Sequence, residues 1–332
     1  MSQRIGLLDF LRGFSMATIV LFHYLQQFAL PEAIKPLIFF GGTGVHLFFV
    51  LSGYTLYRSF TAKPLGYFTF LRRRFSKIYL PYIAVVSISA LVSVVIPLFK
   101  EGSWYAWLGH VFLYKFADRT IIGSYGYQFW FVSTLFQLYL LFVPLYWLMK
   151  KAKPTTLTLW LFVVSMAWNV MIIGLGVDDN RSWNSFFPVF LWEMALGMTL
   201  AHRFADATIE KPLPAMKLLI IGGVALASYA FMALKGGQAG RVTNDIFALT
   251  GYGAVALLSY QWSGKALRNG VSWLGGISYS WFLWHMFFIE LARVFVPQPY
   301  TTLALVISFF VGLAVAYGWD KWVAAFFQRY KI

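Results

Sequence analysis

Ten long apolar segments dominate this chain. They run over residues 5–28, 37–57, 75–98, 129–149, 156–176, 186–201, 216–234, 246–262, 277–296 and 301–327. A helix needs about 20 apolar residues to cross a bilayer, so segments of this length predict membrane-spanning helices. The 332 residues are 60% hydrophobic and only 12% charged, whereas about a quarter of a soluble protein is charged. The sequence therefore predicts an all-α integral membrane protein with about ten transmembrane helices embedded in a lipid bilayer.

The distribution of lysine and arginine predicts the orientation of these helices. If the N-terminus is cytoplasmic, 17 of these residues lie on the cytoplasmic side and 8 on the outer side. Loops rich in positive charge stay in the cytoplasm, so both termini are expected there. The net charge of +15 is then explained by topology and lipid headgroups, and no nucleic-acid partner is expected. Binding of a phosphate-rich cofactor at the cytoplasmic face is compatible with the same charges.

Cysteine and histidine usage excludes several kinds of chemistry. The chain has no cysteine, so an acyl-cysteine intermediate, a disulfide and a thiolate metal site are excluded. The five histidines have no spacing typical of a metal site, and no metal is expected. Residues 104–116 contain His110 and Lys115 among aromatic residues, which predicts an interfacial or re-entrant segment rather than a span. His110 and His202 lie near span ends and are expected to be solvated.

The first apolar segment carries three ionisable residues, Asp9, Arg12 and His23. Such groups cost about 2.5–3.5 kcal/mol each at membrane depth, so they need an interior or hydrated site. Arg12 and His23 are eleven positions apart, which places them on one face of a helix and about 16 Å apart along its axis. Asp9 and Arg12 are spaced to neutralise each other. Spacing alone is compatible with a functional site or with a buried salt bridge and a hydrogen-bonded histidine near the headgroups.

Four sequence blocks occur in a characteristic order. They are LDFLRG at Leu8–Gly13 followed by His23, GVHLFFVLSGY at Gly44–Tyr54, FLRRRFSKIYLPY at Phe70–Tyr82 and ISYSWFLWH at Ile277–His285. Together they resemble acyltransferase family 3, a family of membrane O-acyltransferases. One position departs from the family pattern, because Leu135 and Phe136 stand where the family often carries a Glu-Glu pair.

The resemblance implies a single transmembrane domain over residues 1–332, without a fused extracytoplasmic domain. It implies an acetyl-CoA or other acyl-CoA donor on the cytoplasmic side, and no tightly bound cofactor. The acceptor would be a hydroxyl of a cell-surface polysaccharide, a lipopolysaccharide or a lipid-linked sugar. A bacterial inner membrane is the expected location of this multi-pass protein.

The resemblance also implies roles for individual residues. His23 would be the general base that removes a proton from the acceptor hydroxyl, although an acyl-histidine intermediate is also chemically possible. Arg12 would contact a CoA phosphate or orient the donor, and Asp9 would hold Arg12. The basic stretch of Arg72, Arg73, Arg74 and Lys77 serves either topology alone or the binding of CoA phosphates as well.

Other residues are candidates for the substrate side of the site. They are His285, Glu193, Trp130, Ser52 and Tyr279. His46 has no firm role in the resemblance, and a satisfied interior histidine is the simpler interpretation. A transporter or flippase of a glycolipid or small metabolite is the alternative function, because ten spans with a few buried charges would fit it on composition alone.

Overall fold

The computed structural model describes residues 6–31, 34–99, 101–204, 213–296 and 300–330. All regular elements in these ranges are helices, as the sequence predicted. Contacts along the chain divide it into two compact units, and each is described separately. The first comprises Met1–Pro64, Phe142–Asp179 and Phe187–Ser278, and the second comprises Leu65–Leu141, Asn180–Phe186 and Tyr279–Ile332.

The first unit contains most of the helices. Its described helices are α1 (Gly6–Leu25), α2 (Lys35–Gly41), α3 (Gly44–Ala62), α7 (Pro154–Gly174), α9 (Phe187–Arg203), α10 (Ala215–Lys235), α11 (Gly237–Thr243), α12 (Asp245–Trp262) and α13 (Lys265–Gly276). The second half of α6 (Trp130–Lys151) also belongs to this unit.

Glycines allow the helices of the first unit to pack with their backbones in contact. A β-carbon at Gly53 of α3 would overlap the backbone of Met194 on α9, and one at Gly197 of α9 would overlap Val50. In the same way, a β-carbon at Gly275 of α13 would overlap the backbone of Asp9 on α1. Small residues drive such close approach in membrane proteins, where lipid removes the usual hydrophobic incentive for helix association. These contacts fix α1, α3 and α9, which carry the predicted site residues of this unit.

The second unit is built from fewer and longer helices. They are α4 (Tyr67–Val95), α5 (Trp104–Val111), the first half of α6, α8 (Arg181–Asn184), α14 (Ser278–Phe295) and α15 (Thr301–Tyr330). Three short 3₁₀ turns precede α6, at Tyr114–Ala117, Arg119–Ile121 and Tyr127–Phe129.

Polar residues and prolines between the apolar runs define helix ends. The side chain of Ser103 caps α5 by accepting a hydrogen bond from the backbone N–H of Ala106, which satisfies one of the unpaired donors of a helix start. Asn180 caps α8 in the same way through the N–H of Ser182. Pro154 is the first residue of α7, the helical position where a missing N–H costs nothing.

The segment between α4 and α6 folds back along α4. Tyr79 of α4 donates a hydrogen bond to the backbone oxygen of Val111, and Tyr82 lies 2.7 Å from Nδ1 of His110. This agrees with the prediction that residues 104–116 are not a span. The expectation that His110 is solvated is wrong, because His110 is fully buried. The aromatic side chains of α4 and of the segment itself cover it.

Seven helices in the described part of the chain are long and apolar enough to cross a membrane. They are α1, α4, α6, α7, α10, α15 and a helical stretch over Ile38–Ala62 that contains α3. The other three predicted spans coincide with α9, α12 and α14, which have 17, 18 and 18 residues. The described part of the chain is therefore all-helical, with seven helices able to cross a membrane. The count of ten spans, the cytoplasmic termini and the single domain stay predictions.

Candidate functional site

The first helix carries an ion pair between Asp9 and Arg12. Nη1 of Arg12 lies 3.0 Å from Oδ1 of Asp9, and the side chains are 28% and 15% exposed, respectively. The pair is thus half-buried, and the carboxylate compensates the guanidinium charge within one turn of helix. This confirms the pairing that the spacing predicted, while the catalytic role of the pair stays a prediction.

His23 lies in the last turn of α1, on the same face as Arg12. The helix is continuous over Gly6–Leu25, so the eleven-residue spacing separates the two by about 16 Å along its axis. The imidazole is half-buried, with its ring centroid 4.9 Å from that of Phe22. Gln27 lies just beyond the end of α1, and its side-chain amide donates a hydrogen bond to the backbone oxygen of His23.

A second cluster of ionisable residues lies in the first unit, on three different helices. Nδ1 of His46 on α3 donates a 2.6 Å hydrogen bond to Oε1 of Glu193 on α9, and Nε2 of His46 lies 3.8 Å from Oδ1 of Asp245 on α12. Glu193 and His46 were considered from the sequence, but Asp245 was missed. It begins α12 immediately before the eighth apolar segment, and a carboxylate at a helix start gives no local sign of a buried partner. Ser52 is half-buried on α3, two turns beyond His46.

The basic stretch of the second unit lies on α4. Arg72, Arg73 and Lys77 are exposed, and Arg74 is half-buried with its guanidinium 5.7 Å from the ring centroid of Phe70. A groove of about 410 Å³, which we call the basic groove, opens beside them. Its lining residues are Phe68, Leu71, Arg72, Arg74, Phe75, Ser76, Leu113, Phe136, Tyr139 and Leu140. Two arginines therefore stand at an otherwise mostly apolar groove, and Arg73 and Lys77 do not line it.

One wall of the basic groove is held in a strained backbone conformation. Leu113 has a φ of 59°, a left-handed conformation that a branched side chain adopts at a cost of roughly 1–2 kcal/mol. The 3₁₀ turn that follows it is anchored by Lys115, which is fully buried and donates 2.8 Å hydrogen bonds to the backbone oxygens of Ser124 and Gly126. Strain of this kind collects at functional sites, where the surrounding structure imposes it.

Leu135 and Phe136, at the positions where the family often carries a Glu-Glu pair, have packing roles in this chain. The ring of Phe136 lines the basic groove and lies 5.1 Å from the ring of Phe75, while Leu135 is buried. The positions where the family often carries two carboxylates are apolar in this chain and are used for packing.

The remaining candidates of the second unit lie on α14 and at the start of α6. His285 is fully buried, and its Nδ1 donates a 2.8 Å hydrogen bond to the backbone oxygen of Phe282. Tyr279 donates a 2.7 Å hydrogen bond to the backbone oxygen of Ile78. Trp130 is buried, and the guanidinium of Arg181 lies 4.6 Å from its ring centroid. Each of these groups has a structural contact that accounts for its position.

The predicted site residues are therefore divided between the two units. Asp9, Arg12, His23, Ser52 and Glu193 belong to the first, and Arg72, Arg73, Arg74, Lys77, Trp130, Tyr279 and His285 belong to the second.

Comparison with known proteins identifies the family. The model of an acyltransferase domain, acyltransferase family 3, matches residues 5–319, which include most of both units and all the candidate residues. The chain belongs to acyltransferase family 3. A relative, the acyltransferase MdmB of Streptomyces mycarofaciens, is 28% identical over 223 residues, covering 60% of this chain and 57% of the relative. The chain thus matches little more than half the length of that relative. No solved structure matches the chain.

Membership of acyltransferase family 3 gives the chain an acyltransferase domain over residues 5–319. The sequence motifs predicted this family from four short blocks, and the match confirms it over nearly the whole chain.

Proposed function

We propose that this protein is a membrane acyltransferase that transfers an acetyl or short acyl group from acyl-CoA to a hydroxyl of a carbohydrate acceptor. The acceptor class is a cell-surface polysaccharide, a lipopolysaccharide or a lipid-linked sugar, and the location is the inner membrane of a bacterium. The observation that carries the proposal is the arrangement on α1, where a histidine and an ion-paired arginine share one face of a continuous helix. An acyltransferase needs both a base and a cation for the donor.

His23 is the proposed general base. Its imidazole takes the proton of the acceptor hydroxyl as the oxygen attacks the thioester carbonyl. The tetrahedral intermediate collapses with cleavage of the carbon–sulfur bond, and the imidazolium returns the proton to the CoA thiolate. The products are the acyl ester and free CoA, and His23 ends the cycle neutral.

Arg12 is the proposed donor-binding residue of the first unit. A guanidinium can donate two parallel hydrogen bonds to one phosphate, which makes arginine well suited to CoA. Asp9 occupies Nη1 of Arg12 and holds the guanidinium in one orientation. The roles of Arg12 and Asp9 are therefore binding and positioning.

The basic groove is the proposed second donor contact. Arg72 and Arg74 offer positive charge at a groove whose other walls are mostly aromatic and aliphatic. A CoA thioester is complementary to this groove, since it combines charged phosphates with a less polar acyl-pantetheine arm. CoA is a substrate in this scheme, and no tightly bound cofactor is proposed.

Turnover of acyl-CoA by purified protein tests this proposal. The protein in detergent is given acetyl-CoA and a panel of lipid-linked and soluble glycans, and release of free CoA is measured. We expect release that depends on the acceptor and falls about 100-fold or more in His23→Ala, in line with the usual contribution of a general base. His202→Ala is the matched control, because His202 is an exposed histidine elsewhere in the same unit, and it should retain activity.

Two results would contradict the proposal at different levels. Unchanged turnover in folded His23→Ala would remove His23 from the mechanism. If the protein neither binds acyl-CoA nor turns it over with any acceptor, the assignment of acyl-CoA as the donor is wrong.

A further inference from the structure

Three helices of the first unit bring together an imidazole and two carboxylates. His46 lies on α3, Glu193 on α9 and Asp245 on α12. One potential ligand atom from each residue lies within 4.8 Å of the corresponding atoms of the other two. The function proposed above uses none of these three residues in catalysis or donor binding.

The cluster has more negative than positive charge in a buried position. Glu193 is fully buried and Asp245 is nine-tenths buried. Among the described residues, His46 is the only basic side chain within 4.0 Å of either carboxylate. With both carboxylates ionised, even a protonated His46 leaves one negative charge that no other described side chain balances at this distance, and such a charge is costly inside a membrane protein.

The second oxygen of Glu193 strengthens this argument. Oε1 accepts the hydrogen bond from His46, but Oε2 has no hydrogen-bond partner among the described residues. A bound ion or a water would satisfy this buried oxygen.

We propose that His46, Glu193 and Asp245 form a binding site for a divalent first-row transition-metal ion. An imidazole nitrogen and a carboxylate oxygen are ligands that such ions accept, and two ionised carboxylates with a neutral imidazole would balance a charge of +2. The 3.8 Å between Nε2 of His46 and Oδ1 of Asp245 fits two ligands of one ion with metal–ligand distances of about 2.0–2.2 Å. Glu193 orients the imidazole through Nδ1, as carboxylates commonly do for metal-binding histidines, while Nε2 of His46 and Oδ1 of Asp245 are the atoms that would hold the ion.

The position of the cluster suits a stable and accessible site. α3 and α9, which carry His46 and Glu193, pack at backbone contact through Gly53 and Gly197, so these two residues lie on rigid elements. The side chains of His46 and Asp245 retain 19% and 13% exposure, which leaves the ion a route of entry. No metal site was predicted from the sequence, because that prediction rested on the spacing of the histidines. Residues contributed by three separate helices have no such spacing.

Metal binding by the tag-free protein tests this inference independently of any acyltransferase activity. The protein is stripped with a chelator, dialysed and titrated with Zn²⁺ or Mn²⁺ by calorimetry, and the bound metal is counted by mass spectrometry. We expect about one ion per chain, and an affinity at least tenfold lower in each of His46→Ala, Glu193→Gln and Asp245→Asn. Glu290→Gln and Asp320→Asn are matched controls, because these carboxylates lie in the second unit, and both should bind as the wild type does.

Several outcomes would overturn the inference. Wild-type protein that binds neither ion stoichiometrically would show that a proton, rather than a metal, neutralises the cluster. Equal metal binding by the wild type and the three folded variants would place the ion elsewhere. If a variant fails to fold, the wild-type titration still decides whether a stoichiometric ion is present, and the remaining variants locate it.

Discussion

Nη1 of Arg12 lies 3.0 Å from Oδ1 of Asp9, so the first helix carries its own counter-charge beside its arginine. An arginine in a membrane helix would otherwise need a partner from elsewhere or a hydrated path to the interface. The ion pair holds one edge of the guanidinium in place on the helix.

Arg12→Lys should weaken donor binding more than it slows the chemical step. Lysine keeps the positive charge but loses the planar fork that binds one phosphate with two hydrogen bonds. We expect the KM for acyl-CoA to rise about tenfold, which corresponds to about 1.4 kcal/mol, with a smaller change in kcat. Steady-state kinetics over a range of acyl-CoA concentrations measures both values. A loss confined to kcat would exclude donor binding as the main role of Arg12.

The two adjacent glycines at the end of α13 should respond differently to alanine. A β-carbon at Gly275 would overlap the backbone oxygen of Asp9, whereas one at Gly276 has no atom within 4 Å. Gly275→Ala must therefore displace α1, and such overpacking typically costs about 1–3 kcal/mol. We expect its melting temperature in detergent to fall by several degrees and that of Gly276→Ala to stay the same or rise slightly. Equal melting temperatures would mean that α1 and α13 are not in backbone contact.

The three consecutive arginines of α4 should differ in their effect on the donor. Arg72 and Arg74 line the basic groove and Arg73 does not. We expect Arg72→Ala and Arg74→Ala to raise the KM for acyl-CoA severalfold, with Arg73→Ala close to the wild type. The effect should be smaller at high salt, because salt screens exposed charges. If the three variants behave alike, the cluster acts through general positive charge and topology.

The buried His110 should make the protein less stable in acid. Burial, and secondarily the nearby Lys115, hold the pKa of His110 well below its usual 6.5. Since a carbonyl can only accept, Nε2 of His110 donates to the backbone oxygen of Ser124, and Nδ1 accepts from the hydroxyl of Tyr82. Protonation would turn Nδ1 into a donor and change that contact.

The sign of the pH effect follows from this lowered pKa. Below about pH 6.5 the unfolded chain binds a proton that the folded chain does not, so the free energy of unfolding falls as the pH falls. His110→Gln removes this group and should show a shallower decline in melting temperature between pH 7 and pH 5. His202→Gln, which changes an exposed histidine, is the control and should follow the wild type. Parallel curves for His110→Gln and the wild type would show that His110 is not the responsible group.

Much of the fold could be predicted from the sequence because a membrane imposes length and hydropathy on each element. Each of the ten predicted apolar segments overlaps a helix, and the pairing of Asp9 with Arg12 followed from helical spacing alone. Local periodicity was sufficient in both cases. The family could be predicted because its motifs, such as the one containing Arg12 and His23, are fixed in spacing and order.

Contacts between distant segments could not be predicted in the same way. Asp245 lies next to His46 through the packing of α3 and α12, and nothing in the local sequence of either residue indicates it. His110 was misjudged because its burial depends on Tyr82 of another helix. No sequence signal indicates the strained backbone of Leu113, since leucine is not a residue that favours positive φ.

The central claim is that this protein moves an acyl group from CoA to a hydroxyl with His23 as the base. The most direct measurement is the transfer of label from radiolabelled acetyl-CoA to a glycolipid acceptor in reconstituted vesicles, with wild-type protein and His23→Ala. The account predicts ester-linked label in the extracted glycolipid with the wild type. With the variant, the yield of labelled glycolipid should fall by about 100-fold or more. Label that stays on CoA in the wild type, or equal transfer by both proteins, would contradict it.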